Sequence, residues 1–302
     1  MKRPATAFIL VGFFVYAQFA SAAMSSTNYN IRWDTLSAGG SDTSSSASYI
    51  LRDSVAPNAG SASSSSSYQV TDGYRAGVFD QIITSDLFIQ NSTNEREITA
   101  LSSTTVSMTS TTGLSVGDYV AIVQDYGGSQ VTAIGKIQTV GVGSIVLDRL
   151  VSGSSSPSID GSNDYLYLLN GSSLTLETVS TSSVGTGILA FEVTVDNESG
   201  YVVQILEDGE LREGANSIDD VADGSVTLGS EEFGARSNDS SLSSSTFDTQ
   251  DSALTSSAQE VVSRSTFAFD DRSFLTFKIA GATSTPSATY SQTLTVITSG
   301  NF

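Results

Sequence analysis

In several stretches of this chain apolar and polar residues alternate one for one, and no long stretch repeats at the spacing of a helix. Strict alternation puts apolar side chains on one face of an extended strand and polar ones on the other. Leu189, Phe191, Val193 and Val195 alternate with Ala190, Glu192, Thr194 and Asp196. Leu275, Phe277 and Ile279 share a face, as do Tyr290, Leu294 and Val296. The pattern predicts an antiparallel β-sandwich over residues 172–302, each strand buried on one side and wet on the other. Only "NSIDDVADG" and "TSSAQEVV" leave room for short helical turns.

Residues 85–171 carry a denser set of short apolar runs: "DLFIQ", "TVSMT", "DYVAIVQD", "GKIQTV", "SIVLDRL" and "DYLYLL". Glycine-bearing turns such as "SVGD", "DYGGSQ" and "GVGS" separate them. Many short strands with glycine punctuation predict a small β-barrel or sandwich module.

Residues 24–84 behave differently. Three units, "SSTNYNIRWD", "SSASYILRD" and "SSSSYQVTD", centre on Tyr29, Tyr49 and Tyr68 and are joined by serine and glycine stretches. In the first unit Tyr29, Ile31 and Trp33 alternate with Asn30, Arg32 and Asp34, the signature of a strand with one buried face. The units read as short strands on flexible links, too few and too polar to stack as a solenoid. Tyr29, Ile31 and Trp33 are accordingly candidates for strand addition, either within the chain or to the sheet edge of a neighbouring copy. Ahead of them, Lys2 and Arg3, the apolar run Ala7–Ala17 and the "ASAA" at 20–23 predict a signal peptide over residues 1–23. No later segment is apolar enough for a membrane-spanning helix.

Composition narrows the chemistry. The formal net charge is −19 and the isoelectric point near 4.1, which sets the surface against nucleic acid and anionic lipid as partners. The chain has no cysteine and no histidine. Disulfide staples, thiolate metal sites and Ser-His-Asp catalysis are therefore excluded. No resident cofactor is expected, apart from Ca²⁺ held by acidic loops. Asp219, Asp220 and Asp223 cluster in "NSIDDVADGS", and Asp160 and Asp164 in "SIDGSNDY". Closely spaced carboxylates are what a hard cation takes as ligands, although neither loop follows the calcium-loop pattern. Paired carboxylates also run glycosidases, but a sugar cleft is usually lined with aromatics and the chain has a single tryptophan, Trp33.

Three stretches carry a resemblance: the tyrosine-centred repeat, "SGYVVQILEDGELREGANSIDDVADGSVTLGSEEFGA", and the closing "ATYSQTLTVIT". The chain resembles secreted bacterial surface proteins with a C-terminal β-sandwich. Its last strand is similar to the closing strand of spore-coat-protein-U-like and fimbrial subunits. The resemblance implies an immunoglobulin-like sandwich at the C-terminus and work at the cell surface, with no catalytic residues. The chain departs from many fimbrial subunits in lacking cysteines, and from simple pilins in carrying a middle module.

These observations predict an all-β, secreted, non-enzymatic protein of structural or adhesive type. Its expected partners are other surface proteins, copies of itself, or glycans. The alternatives are a filament subunit assembled by strand addition and a carbohydrate- or Ca²⁺-binding module.

Overall fold

The computed structural model describes residues 82–176 and 178–301, together with the strand residues 25–26, 29–30, 62–65 and 68–71. The chain divides into two units, Met1–Asp80 and Gln81–Phe302. In the first, β1 (Ser25–Ser26) pairs antiparallel with β2 (Tyr29–Asn30), and β3 (Ala62–Ser65) with β4 (Tyr68–Thr71), in the register Ser65↔Tyr68 to Ala62↔Thr71. Two of the three tyrosine-centred repeats thus begin antiparallel strands paired inside their own chain. Ile31, Trp33 and the expected signal peptide lie outside the described residues.

The second unit is all-β, and its strand pairs are all antiparallel. Six strands close a ring: β6 (Arg96–Ser102), β7 (Thr105–Met108), β10 (Ser144–Leu147), β9 (Val131–Val140), β8 (Tyr119–Gln124) and β12 (Tyr165–Leu168), which returns to β6. A short β11 (Val151–Ser152) adds to β9. Closure leaves the ring few backbone edges to protect. Alternation fills its interior with Ile98, Val106, Met108, Val120, Ile122, Ile137, Ile145, Leu147, Leu166 and Leu168.

The remaining long strands form two sheets. One is ordered β17 (Glu232–Ser237), β19 (Ala268–Ala280), β13 (Gly185–Val195), β5 (Ile83–Ile89). The other is ordered β18 (Gln259–Arg264), β14 (Tyr201–Glu207), β20 (Leu294–Gly300). A hairpin of β15 (Leu211–Glu213) and β16 (Asn216–Ile218) follows β14. Leu189, Phe191, Val193, Tyr201, Val203, Ile205, Phe233, Val261, Leu275 and Phe277, drawn from both sheets, share one apolar cluster. The "DLFIQ" segment lies in β5 and pairs with β13, with Phe191 opposite Leu87, rather than with the ring strands.

The β13–β19 pair is buried on both faces. Its even-numbered residues Ile188, Ala190 and Phe274 meet Ala121, Val123, Ile134, Tyr167 and Leu169 on the outside of the ring. This accounts for the nearly continuous burial of Gly185–Phe191 and Arg272–Phe277, where simple alternation predicts a wet face.

Neither expected helical turn forms. "NSIDDVADG" supplies β16, whose Ile218 pairs with Leu211, and "TSSAQEVV" runs into β18. Pairing with a neighbouring strand satisfies backbone groups there that an isolated single turn of helix would leave unpaired. Among the described residues the only helical element is a 3-10 turn at Ser92–Asn94, and no helix is long and apolar enough to cross a membrane.

Candidate functional site

A groove of about 480 Å³ lies where the β10–β11 connection meets the sandwich. Its walls carry Arg149, Ser152, Asn238, Asp239, Arg264 and Arg272. An acidic chain has gathered three of its arginines here, and each is held by a partner.

Arg272 projects from β19 between two acids. Its Nε donates to Glu192 Oε2 at 2.6 Å on the adjacent β13, and Nη2 reaches Asp148 Oδ2 at 2.8 Å from the loop after β10. Tyr119 of β8 lies under the guanidinium, 5.1 Å from the ring centroid, and its hydroxyl donates to Glu192 Oε1 at 2.6 Å. Phe88 stacks on the tyrosine ring at 3.8 Å. Arg272 is only 3 % exposed at its side chain and Glu192 is largely buried, while the ring-side partner Asp148 stays partly open to solvent, and together they tie the ring to the sandwich. Burial opposes the charge on Arg272, but its two acids outweigh that and hold the guanidinium firmly protonated.

Arg264, at the end of β18, makes a second knot. Nη1 meets Asp239 Oδ2 at 2.7 Å and Nε meets Asp271 Oδ2 at 2.8 Å. Asp271 also accepts from the Tyr201 hydroxyl at 2.7 Å. Burial alone would raise Asp239, but amide hydrogen bonds from Ser263 and Ser241, the Ser241 hydroxyl and Arg264 together hold its carboxyl below the usual range. Asp148 is lowered in the same way, burial being overcome by Arg272 and by the amides of Lys136 and Arg149. Tyr119 and Tyr201 are pushed above the ordinary phenol range, first by burial and then by the acids they serve. Arg149 donates to the main-chain oxygen of Asp270. Asn238 accepts from the Phe274 amide at 2.6 Å.

Chemically, the groove offers hydroxyls, an amide and matched charges. The groups displaced in it are all moved away from neutrality, so none of them is tuned as an acid or base for neutral pH.

The acids singled out from the sequence lie elsewhere. Asp164 is buried and accepts from the amides of Asp125, Asp160 and Gly161, so it organises the 160–164 turn. Asp160 accepts from the Ser162 amide at 2.9 Å. Asp223 accepts from the Ser225 amide at 3.0 Å, and Asp219 is exposed. Asp220 is half-buried, and its Oδ1 has no partner. Among the described residues no group of three acids is arranged to hold a metal ion.

Sequence reasoning missed the residues of both ion-pair knots. Arg272 and Glu192 stand 80 positions apart, and the signal available was only that each charge interrupts an apolar strand. Set against protein-family models, curated proteins and solved structures, the chain matches none.

Proposed function

We propose that this is a non-enzymatic protein of the extracellular surface, with a structural or adhesive role. One observation carries the reading: the groove is lined by charged groups already matched to one another, and the chain has no histidine or cysteine to activate a nucleophile there. A second support is the architecture, a closed ring and a two-layered sheet assembly joined through Arg272, which suits a load-bearing surface module. The strongly acidic composition keeps such a module soluble and apart from anionic membranes.

A glycan-binding role is the second reading. It draws on the polar lining of the groove at Ser152, Asn238, Ser240 and Ser241, and ranks lower because no aromatic side chain lines that groove.

A panel of glycosidase, peptidase, esterase and phosphatase substrates, run on the full chain between acid and alkaline pH, is expected to give no turnover. Turnover abolished by a single carboxylate-to-amide substitution would overturn the reading. A glycan array separates the structural role from the glycan-binding one.

A further inference from the structure

Seven buried side-chain nitrogen and oxygen atoms lack a hydrogen-bond partner among the described residues, and four of them belong to Glu207, Asp220 and Gln292. The strand register explains why these three come together. Tyr201, Val203 and Ile205 of β14 point into the sandwich core, and a period of two puts Glu207 on the same face at the strand's end. Glu207 lies opposite Leu294 of β20, and Asp208 donates its amide to the Thr293 carbonyl at 3.1 Å. Gln292 stands two residues before Leu294 and so shares its inward face. Diagonal neighbours of this kind sit roughly 7–8 Å apart at the backbone, within reach of Glu and Gln side chains. Asp220 arrives from the other side. It follows β16 and bridges Phe233 of β17, while Arg212 of β15 pairs with Ser217 of β16 on one side and bridges Ser291 on the other, which brings the end of β16 alongside Gln292.

We propose that Glu207, Asp220 and Gln292 form a binding site for a hard divalent cation of the calcium class at this end of the sandwich. Glu207 is 94 % buried by its 6 % exposure, yet Oε2 meets no donor. Asp220 Oδ1 meets none either, and Gln292 leaves both its amide oxygen and nitrogen unmatched. The one arginine nearby, Arg212, is engaged with Asp208 at 2.9 Å. Buried carboxylate oxygens that meet no donor are costly to keep ionised. A cation would remove both penalties at once. The donors are two carboxylates and an amide carbonyl, an all-oxygen set that selects a hard ion and leaves water to complete six to eight ligands. Asp220 therefore takes its partners from β14 and from the residue pair before β20, while its sequence neighbours Asp219 and Asp223 stay outside the site.

The test is isothermal titration of Ca²⁺ into the EDTA-stripped full chain, paired with thermal melts. The wild type is expected to bind one Ca²⁺ saturably and to melt at higher temperature with it. Glu207→Gln and Asp220→Asn are expected to lose both responses, while Asp223→Asn keeps them. In EDTA at pH 8 the two amide variants should melt no lower than wild type, since each removes an uncompensated charge; this also shows that they fold. A wild type giving no saturable heat with Ca²⁺, Mg²⁺ or Mn²⁺ would overturn the site. So would Ca²⁺ binding that survives unchanged in both amide variants. A proton shared between Glu207 and Asp220 would give the first of these results, with a melting temperature that depends on pH near neutrality.

Discussion

Arg272 and Glu192 face each other on neighbouring strands with Nε and Oε2 2.6 Å apart, and the same guanidinium reaches across to Asp148 of the ring. Removing one member of a buried ion pair strands the other charge, at a cost of about 3–5 kcal/mol. Arg272→Met is therefore expected to lower unfolding stability by about that amount in urea titrations. Because Glu192 is the stranded charge, Arg272→Met combined with Glu192→Gln should lose less than the sum of the two single changes. Additive losses would mean the pair is not coupled.

Phe274 and Phe277 lie three residues apart on β19 and point to opposite faces, toward the ring and the sandwich core respectively. Both are buried, so truncating either to alanine should cost about 3–5 kcal/mol. Denaturant melts of the two variants check this. If β19 had a wet face, Phe274→Ala would be nearly neutral.

Acid should loosen the groove before it loosens the cores. Asp239 and Asp148 have native carboxyls held below their ordinary range. A lowered native value means that the unfolded chain takes up the proton first as pH falls. Their contribution is thus complete above about pH 4, the ordinary aspartate value, and is lost as pH drops through the native values below it. Melting temperature followed from pH 6 to pH 2 should fall most steeply below pH 4. Asp239→Asn should melt lower at pH 6 and show a shallower acid slope.

Gly200 turns the chain from β13 into β14 with φ +75°, and a Cβ there would meet the Arg264 carbonyl oxygen at 2.0 Å. Gly200→Ala combines a left-handed backbone with a clash against main chain and should cost at least about 2 kcal/mol. Gly214 has φ +62° with nothing near its Cβ position, so Gly214→Ala should cost only about 1 kcal/mol. Equal losses in paired melts would remove the clash from the account.

The strands were legible because burial on one face writes period-two alternation into the sequence. Leu189, Phe191, Val193, Leu275, Phe277 and Ile279 all face the core that their spacing predicts. What alternation cannot encode is partnership. The pairing of Ile83–Ile89 with β13 joins residues about a hundred positions apart, and the run "FDDRSF" at 269–274 has the polarity of a loop. It continues as strand because Asp271 and Arg272 find Arg264, Glu192 and Asp148 across the fold. The same limit applied to the acids. Clustering in sequence drew attention to Asp219, Asp220 and Asp223, but their carboxyls have different settings: Asp219 is exposed, Asp223 accepts from Ser225, and Asp220 Oδ1 is buried without a partner. Asp160 and Asp164 sit close in sequence because they shape a turn.

The surface role is tested most directly by brief protease treatment of intact cells that produce the chain, with the released peptides identified by mass spectrometry. Peptides from residues 82–301 should appear in the supernatant while cytoplasmic markers stay inside the cells. Peptides that appear only after lysis would contradict a surface protein.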